Sequence, residues 1–139
     1  MIWEQKFYQD ARDSPNGLFL FGRGLLLPDD RNFDTLSAEV GAVYKGVFRR
    51  QKDAQDSLGL GFAYNYISNQ VRNADAFAQR EGFSEVPNFE FESILEATYV
   101  LPISGNWRLQ PDLQWVVRPG AAGSYRNALV IGVRSTLTF

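Results

Sequence analysis

The sequence predicts an all-β chain of about seven amphipathic antiparallel strands in a single domain. Three observations predict it. Apolar and polar residues alternate with a period of two along most of the 139 residues. The connections between alternating segments are long at one end and short at the other. No stretch approaches the ~18–20 consecutive apolar residues of a spanning helix, whereas a spanning strand needs only about 9–11 residues with one apolar face.

Residues 2–8 read as a strand whose facing the sequence leaves open. Over 17–27, Leu18, Leu20 and Leu26 oppose Phe19, Phe21 and Arg23. Over 34–49, Leu36, Ala38, Val40, Ala42 and Tyr44 oppose Ser37, Glu39, Gly41 and Lys45. Over 56–69, Leu58, Leu60, Phe62, Tyr64 and Tyr66 oppose Gly59, Gly61, Ala63 and Asn65. Over 89–104, Phe89, Phe91, Leu95, Ala97, Tyr99, Leu101 and Ile103 oppose Glu90, Glu92, Glu96 and Thr98. The segment 106–118 alternates most strictly. Trp107, Leu109, Pro111, Leu113, Trp115 and Val117 oppose Arg108, Gln110, Asp112, Gln114 and Arg118, with Val116 the exception. Over 126–139, Leu129, Ile131, Val133, Leu137 and Phe139 oppose Gly132, Arg134, Thr136 and Thr138. A helix would scatter each set over several faces, but a strand sends successive side chains to opposite sides.

The connections sort by end. Pro28–Asn32, the polar segment 70–88 and Pro119–Ser124 fall at one end. The Ile103–Asn106 turn falls at the other, with the connections at Asp13–Asn16 and Gln51–Asp56. Long loops on one side and tight turns on the other suit a membrane barrel.

Composition narrows the chemistry. Cysteine and histidine are both absent, which removes thiolate nucleophiles, imidazole bases and the usual transition-metal ligands. The net charge is −2, with 14 basic and 16 acidic residues and no long basic run, so nucleic acid is not an expected partner. No cofactor is expected. The N-terminal MIWEQKFYQD has no apolar core and is not a cleavable leader, so any leader is expected to lie outside this chain.

Alternation alone fits two architectures. A soluble β-barrel binding a small ligand would bury the apolar faces, whereas a membrane barrel would turn them to lipid. Aromatic residues near strand ends (Tyr66, Tyr99, Trp107, Trp115, Phe48, Phe139) suit the interfacial girdle of the second.

A family resemblance adds to this. Gly17-Leu-Phe-Leu-Phe-Gly-Arg23, Pro28-Asp29-Asp30-Arg31-Asn32, Gly41-Ala42-Val43-Tyr44-Lys45-Gly46 and Leu58-Gly59-Leu60-Gly61-Phe62-Ala63-Tyr64 resemble segments of the carbohydrate-selective porins of the OprB family. So do Glu92 through Tyr99, Leu109-Gln110-Pro111-Asp112-Leu113-Gln114-Trp115, Arg118-Pro119-Gly120, and Gly132-Val133-Arg134 with a terminal Phe139. One departure is the run Arg49-Arg50-Gln51-Lys52-Asp53, where the family has a shorter turn. The resemblance implies that residues 1–139 are a single segment, the C-terminal part of a larger outer-membrane barrel. That barrel would have about sixteen strands and about three times this length. Seven strands are too few to enclose a sugar-wide channel, so the expectation is a curled sheet with open edges, not a closed barrel.

The implied function is passive, carbohydrate-selective diffusion through a water-filled pore, without catalysis. The candidate pore-lining residues are Arg23, Glu39, Lys45, Asn65, Glu92, Glu96, Arg108, Gln110, Asp112, Gln114 and Arg134. Sugars are neutral and rich in hydroxyls, so donors and acceptors interleaved along a wall can exchange for hydration water without trapping the solute. Each residue has an alternative role as half of a cross-strand ion pair. Trp107, Leu109, Leu113, Trp115, Leu129, Ile131 and Val133 are expected to face lipid.

Other constellations are weaker. Glu90, Glu92 and Glu96 share a strand face and roughly 6.6–7 Å separates i,i+2 neighbours. That spacing suits paired glycosidase carboxylates, but an acidic ladder balanced by Arg108, Arg118 and Arg134 explains it better. Asp29-Asp30 and Asp53/Asp56 lack calcium-loop spacing and read as solvated turns. The expected partners are small sugars, outer-membrane lipid and, through Phe139, the barrel assembly machinery, with a homo-oligomer left open.

Overall fold

The computed structural model describes residues 1–10, 15–48, 55–82 and 88–139. Within them lie seven strands in one antiparallel sheet, ordered β1 to β7 as in the sequence. They are β1 (Ile2–Gln9), β2 (Gly17–Leu26), β3 (Asp34–Lys45), β4 (Ser57–Ile67), β5 (Phe91–Ser104), β6 (Trp107–Val117) and β7 (Ala128–Leu137). Each strand pairs only with its chain neighbours, so β1 and β7 are open edges among the described residues. An up-and-down order of this kind is what hairpins alternating between two ends produce.

Register fixes the faces, because directly opposed residues in an antiparallel pair project to the same side. One row runs Leu20–Ala42–Leu60–Ala97–Leu113–Ile131 across six strands. The next row on the other side runs Phe21–Gly41–Gly61–Glu96–Gln114–Val130. β1 joins this scheme with Trp3 opposite Gly22 and Glu4 opposite Phe21. Its facing, open from sequence, is therefore set by pairing up to a bulge between Lys6 and Tyr8.

The strand ends differ from the sequence expectation for local reasons. β3 stops at Lys45, not 49, because Gly46 adopts φ +78°, where L side chains are strained. A Cβ at Gly46 would also meet the Asn16 side chain. β6 stops at Val117 because Arg118 is left-handed, with φ 54°. β4 ends at Ile67 because Ser68 caps a helix that the sequence reading missed. The polar segment 70–88 is not simply a loop: α1 occupies Asn69–Arg80, and the Ser68 hydroxyl accepts the Val71 backbone N–H. The connections at Asp13–Asn16 and Gln51–Asp56 lie partly, and the run Arg49–Asp53 wholly, outside the described residues.

Among the described residues, the fully buried side chains lie at the rims. At the long-loop rim, Ile67, Ser68, Ala121 and Ala122 are buried. The Ser68 N–H reaches Phe33 O at 2.8 Å, Ile67 N–H reaches Glu90 O at 3.0 Å, and Gly123 N–H reaches Asn88 O at 2.9 Å. These bonds and the Phe33–Phe89 edge contact tie three long connections together. At the short-turn rim, Asp56 and Asn16 are buried. Asp56 was expected in a solvated turn. Instead its carboxylate accepts the Phe48 N–H at 3.0 Å and the Tyr99 hydroxyl, so fixed donors replace water.

Candidate functional site

The polar face of the sheet is the candidate site, and pairing places all eleven candidate residues on it. Arg23 and Glu39 are directly opposite and joined at 2.5 Å. Lys45 sits opposite Gly17 and Ser57, its ammonium 4.4 Å from the centre of the Phe19 ring. Asn65 opposes Glu92, and one Glu92 oxygen accepts the Gly120 N–H at 2.5 Å. Gln114 opposes Glu96 and donates to it at 3.1 Å. Asp112 opposes Thr98 and Gly132, Gln110 opposes Arg134, and Arg108 opposes Thr136.

The balance of the acidic ladder is more local than the sequence suggested. Glu90 lies just outside β5 and pairs with Arg118, whose guanidinium also stacks 4.5 Å from the Phe91 ring centre. That pair belongs to the rim and not to the strand face on which both residues were expected. The wall itself carries short mixed-sign and neutral pairs instead. Thr98 is one partner that sequence reasoning passed over: its hydroxyl accepts from Gln110 at 2.9 Å and donates to Pro111 O at 3.2 Å. Phe21 is another, an aromatic ring on the polar side. Alternation alone flagged both, and their residue types argued for neither.

The opposite face is exposed and apolar. Leu60, Leu95, Ile131 and Val133 are 52%, 56%, 73% and 72% exposed, while Asp112 and Gln114, on the polar side, are half-buried. In water this inverted pattern would leave a large unpaid apolar patch. A soluble barrel would cover that side, yet the described residues form one sheet with nothing over it. The apolar band is flanked by aromatics at both ends. Tyr8, Tyr44, Tyr99 and Trp107 lie toward the short turns, and Trp3, Tyr64, Tyr66, Phe91 and Trp115 toward the long loops. Several of their polar tips are engaged. Tyr44 donates to Asp10 at 2.9 Å, Tyr99 donates to Asp56, and Arg72 of α1 lies over Tyr66 while donating to its hydroxyl. An aliphatic band between two aromatic belts matches a lipid-facing wall.

An open antiparallel sheet with one wet face, one lipid-type face and long loops at one rim is a portion of an outer-membrane β-barrel. The chain belongs to the carbohydrate-selective porin family OprB, whose family model matches residues 1–139. It is 24% identical over 146 residues to Porin B of Pseudomonas aeruginosa, covering 100% of this chain and 32% of that protein. It is 29% identical over 126 residues to Porin AaxA of Chlamydia pneumoniae, covering 87% of this chain and 25% of that protein. The solved high-pH structure of Pseudomonas putida OprB superposes with a TM-score of 0.89 at 25% identity, over 99% of this chain and 34% of that one. The chain thus spans a quarter to a third of the length of these relatives. The open sheet is part of a larger barrel, and family membership places it in the bacterial outer membrane.

Proposed function

We propose that the complete porin containing this chain lets small neutral sugars diffuse passively along the polar face described above. The observation that carries this reading is the composition of that face: carboxylates, guanidinium groups and amides alternate and engage one another across strands, as Arg23 with Glu39 and Gln114 with Glu96 do. Paired charges of both signs produce little net field, so ions gain no strong preference. Their remaining donors and acceptors can still take a hydroxyl from a passing sugar and release it to water. The eleven polar-face residues would then line the pore. Passage would need no energy source, because each contact exchanges for one of similar strength.

A route that must also release its cargo holds it weakly, with dissociation constants of about millimolar, near −4 kcal/mol. Liposome swelling with the full-length porin tests the proposal. Neutral monosaccharides are expected to enter faster than ions of similar size and without any imposed gradient of protons. Entry that is no faster than for such ions, or that depends on a proton gradient, would overturn it.

A further inference from the structure

We propose that Phe21 and the glycine row beside it form a stacking subsite for the ring of a neutral pyranose, a claim that rests on the sugar-diffusion reading above and adds a place to it. Phe21, Gly41, Gly61, Glu96 and Gln114 stand in one cross-strand row on the polar face. The two glycines between the ring and the carboxylate are the unusual feature. A Cβ at Gly41 would run into the Phe21 ring, so the far end of the ring reaches over that glycine. A Cβ at Gly61 would meet nothing within 4 Å, so the space next to the ring is open. The result is a depression of about 350 Å³ whose lining includes Phe21, Glu39, Gly61, Glu96, Thr98 and Gln114. That volume falls at the small end of the roughly 300–1,000 Å³ of small-molecule sites.

The two aromatic rings on this face differ in a way that matters. Phe19 is flanked by two ammonium groups, with Lys45 4.4 Å and Lys6 5.3 Å from its ring centre. No cation lies over Phe21 among the described residues, and it is 37% exposed. A ring bared on one side and backed by glycine offers an apolar plate to the C–H face of a pyranose. The hydroxyls at the rim of such a sugar point outward from that plate, toward carboxylate and amide groups. Glu39 is already held by Arg23, and Glu96 by Gln114, so both carboxylates are oriented and keep acceptor capacity. An aromatic ring covering a cross-strand glycine also stabilises a sheet by itself. The experiment must therefore read sugar and fold separately.

The test uses the full-length porin in planar bilayers, with glucose and the open-chain polyol sorbitol as probes of ion-current block. Phe21→Ala is expected to raise the half-blocking concentration of glucose about fivefold, the loss of one aromatic contact. Sorbitol block should stay unchanged when each variant is referred to its own sugar-free conductance, and Phe21→Tyr should restore glucose block. Heat stability of the folded barrel is measured on the same variants. Equal loss for glucose and sorbitol, or a loss of heat stability with no change in glucose block, would overturn the subsite while leaving the porin reading intact. If the unsubstituted porin admits no sugar at all, the porin reading itself falls.

Discussion

The middle of the wall and its two rims obey different rules. The largest fully buried side chains, Ile67, Ser68 and Asp56, all lie at the rims. Between the rims the sheet is one layer thick, with Leu113 and Ile131 exposed on one side and Gln114 facing the other. In the middle, lipid and water do the burying, so only the class of side chain on each face matters. At the rims the chain must satisfy itself, so individual partners matter. Stability should accordingly respond to polarity in the wall and to identity at the ends.

The largest effect should come from the wall. Leu113→Arg puts a charge into the lipid-facing band and is expected to cost about 2–4 kcal/mol in reversible unfolding from bilayers. Gln114→Arg, one residue along and on the other face, should cost little. Equal costs for the two would erase the distinction between faces. Next come the rims. Asp56→Ala strands the Phe48 N–H and the Tyr99 hydroxyl, and about 1–3 kcal/mol should be lost in the same assay. A swap within one class in the wall, such as Leu113→Ile, should cost less than that, and the reverse order would contradict the contrast.

Ser68→Ala removes the helix cap and should cost about 1 kcal/mol, read as faster proteolysis within α1. The smallest effect depends on pH. Hydrogen bonds from the side chains of Thr35 and Asn69 hold the carboxyl of Asp29 below its ordinary value, so the ionised form favours the folded loop. That contribution is complete above the unfolded value, near 3.8, and fades as pH falls through the lower folded one. Protease protection of α1 should therefore decline below about pH 4 in the parent, and Asp29→Asn should lose that acid sensitivity.

The same contrast governs what the sequence reveals. The wall is legible because lipid and water impose a strict period of two, and Trp107 to Val117 displays it with only Val116 off pattern. Strands β2 to β7 and the common face of the eleven candidate residues follow from that period, whereas β1 reads from the sequence as a strand of open facing. The rims are not legible in this way. The helix Asn69–Arg80 buries no residue, and its apolar stripe of Val71, Ala74, Phe77 and Ala78 is short and set in a polar segment, so it does not stand out as the strands' period does. Its signals were a Ser68 cap and Ala74, Ala76 and Ala78 with no glycine or proline before Gly82. Asp56 and Tyr99 meet across 43 positions of sequence, and Arg118 finds Glu90 only after its backbone turns left-handed. Pairings of that kind depend on how loops fold over one another, which no local pattern encodes.

Single-cysteine labelling along β6 measures the central claim most directly. These 139 residues contain no cysteine, and any cysteine elsewhere in the full-length porin would first be replaced by serine, so that each probe site is unique. Full-length porin in membranes would carry one cysteine at a time at positions 110 to 115, exposed to a charged water-soluble thiol reagent and to a lipid-phase one. The polar face should label from water at 110, 112 and 114, with glucose slowing the reaction at 114, and positions 113 and 115 should react only with the lipid-phase reagent. Water-phase labelling at 113 and 115, or lipid-phase labelling at 112 and 114, would reverse inside and outside and remove the proposed path for sugar.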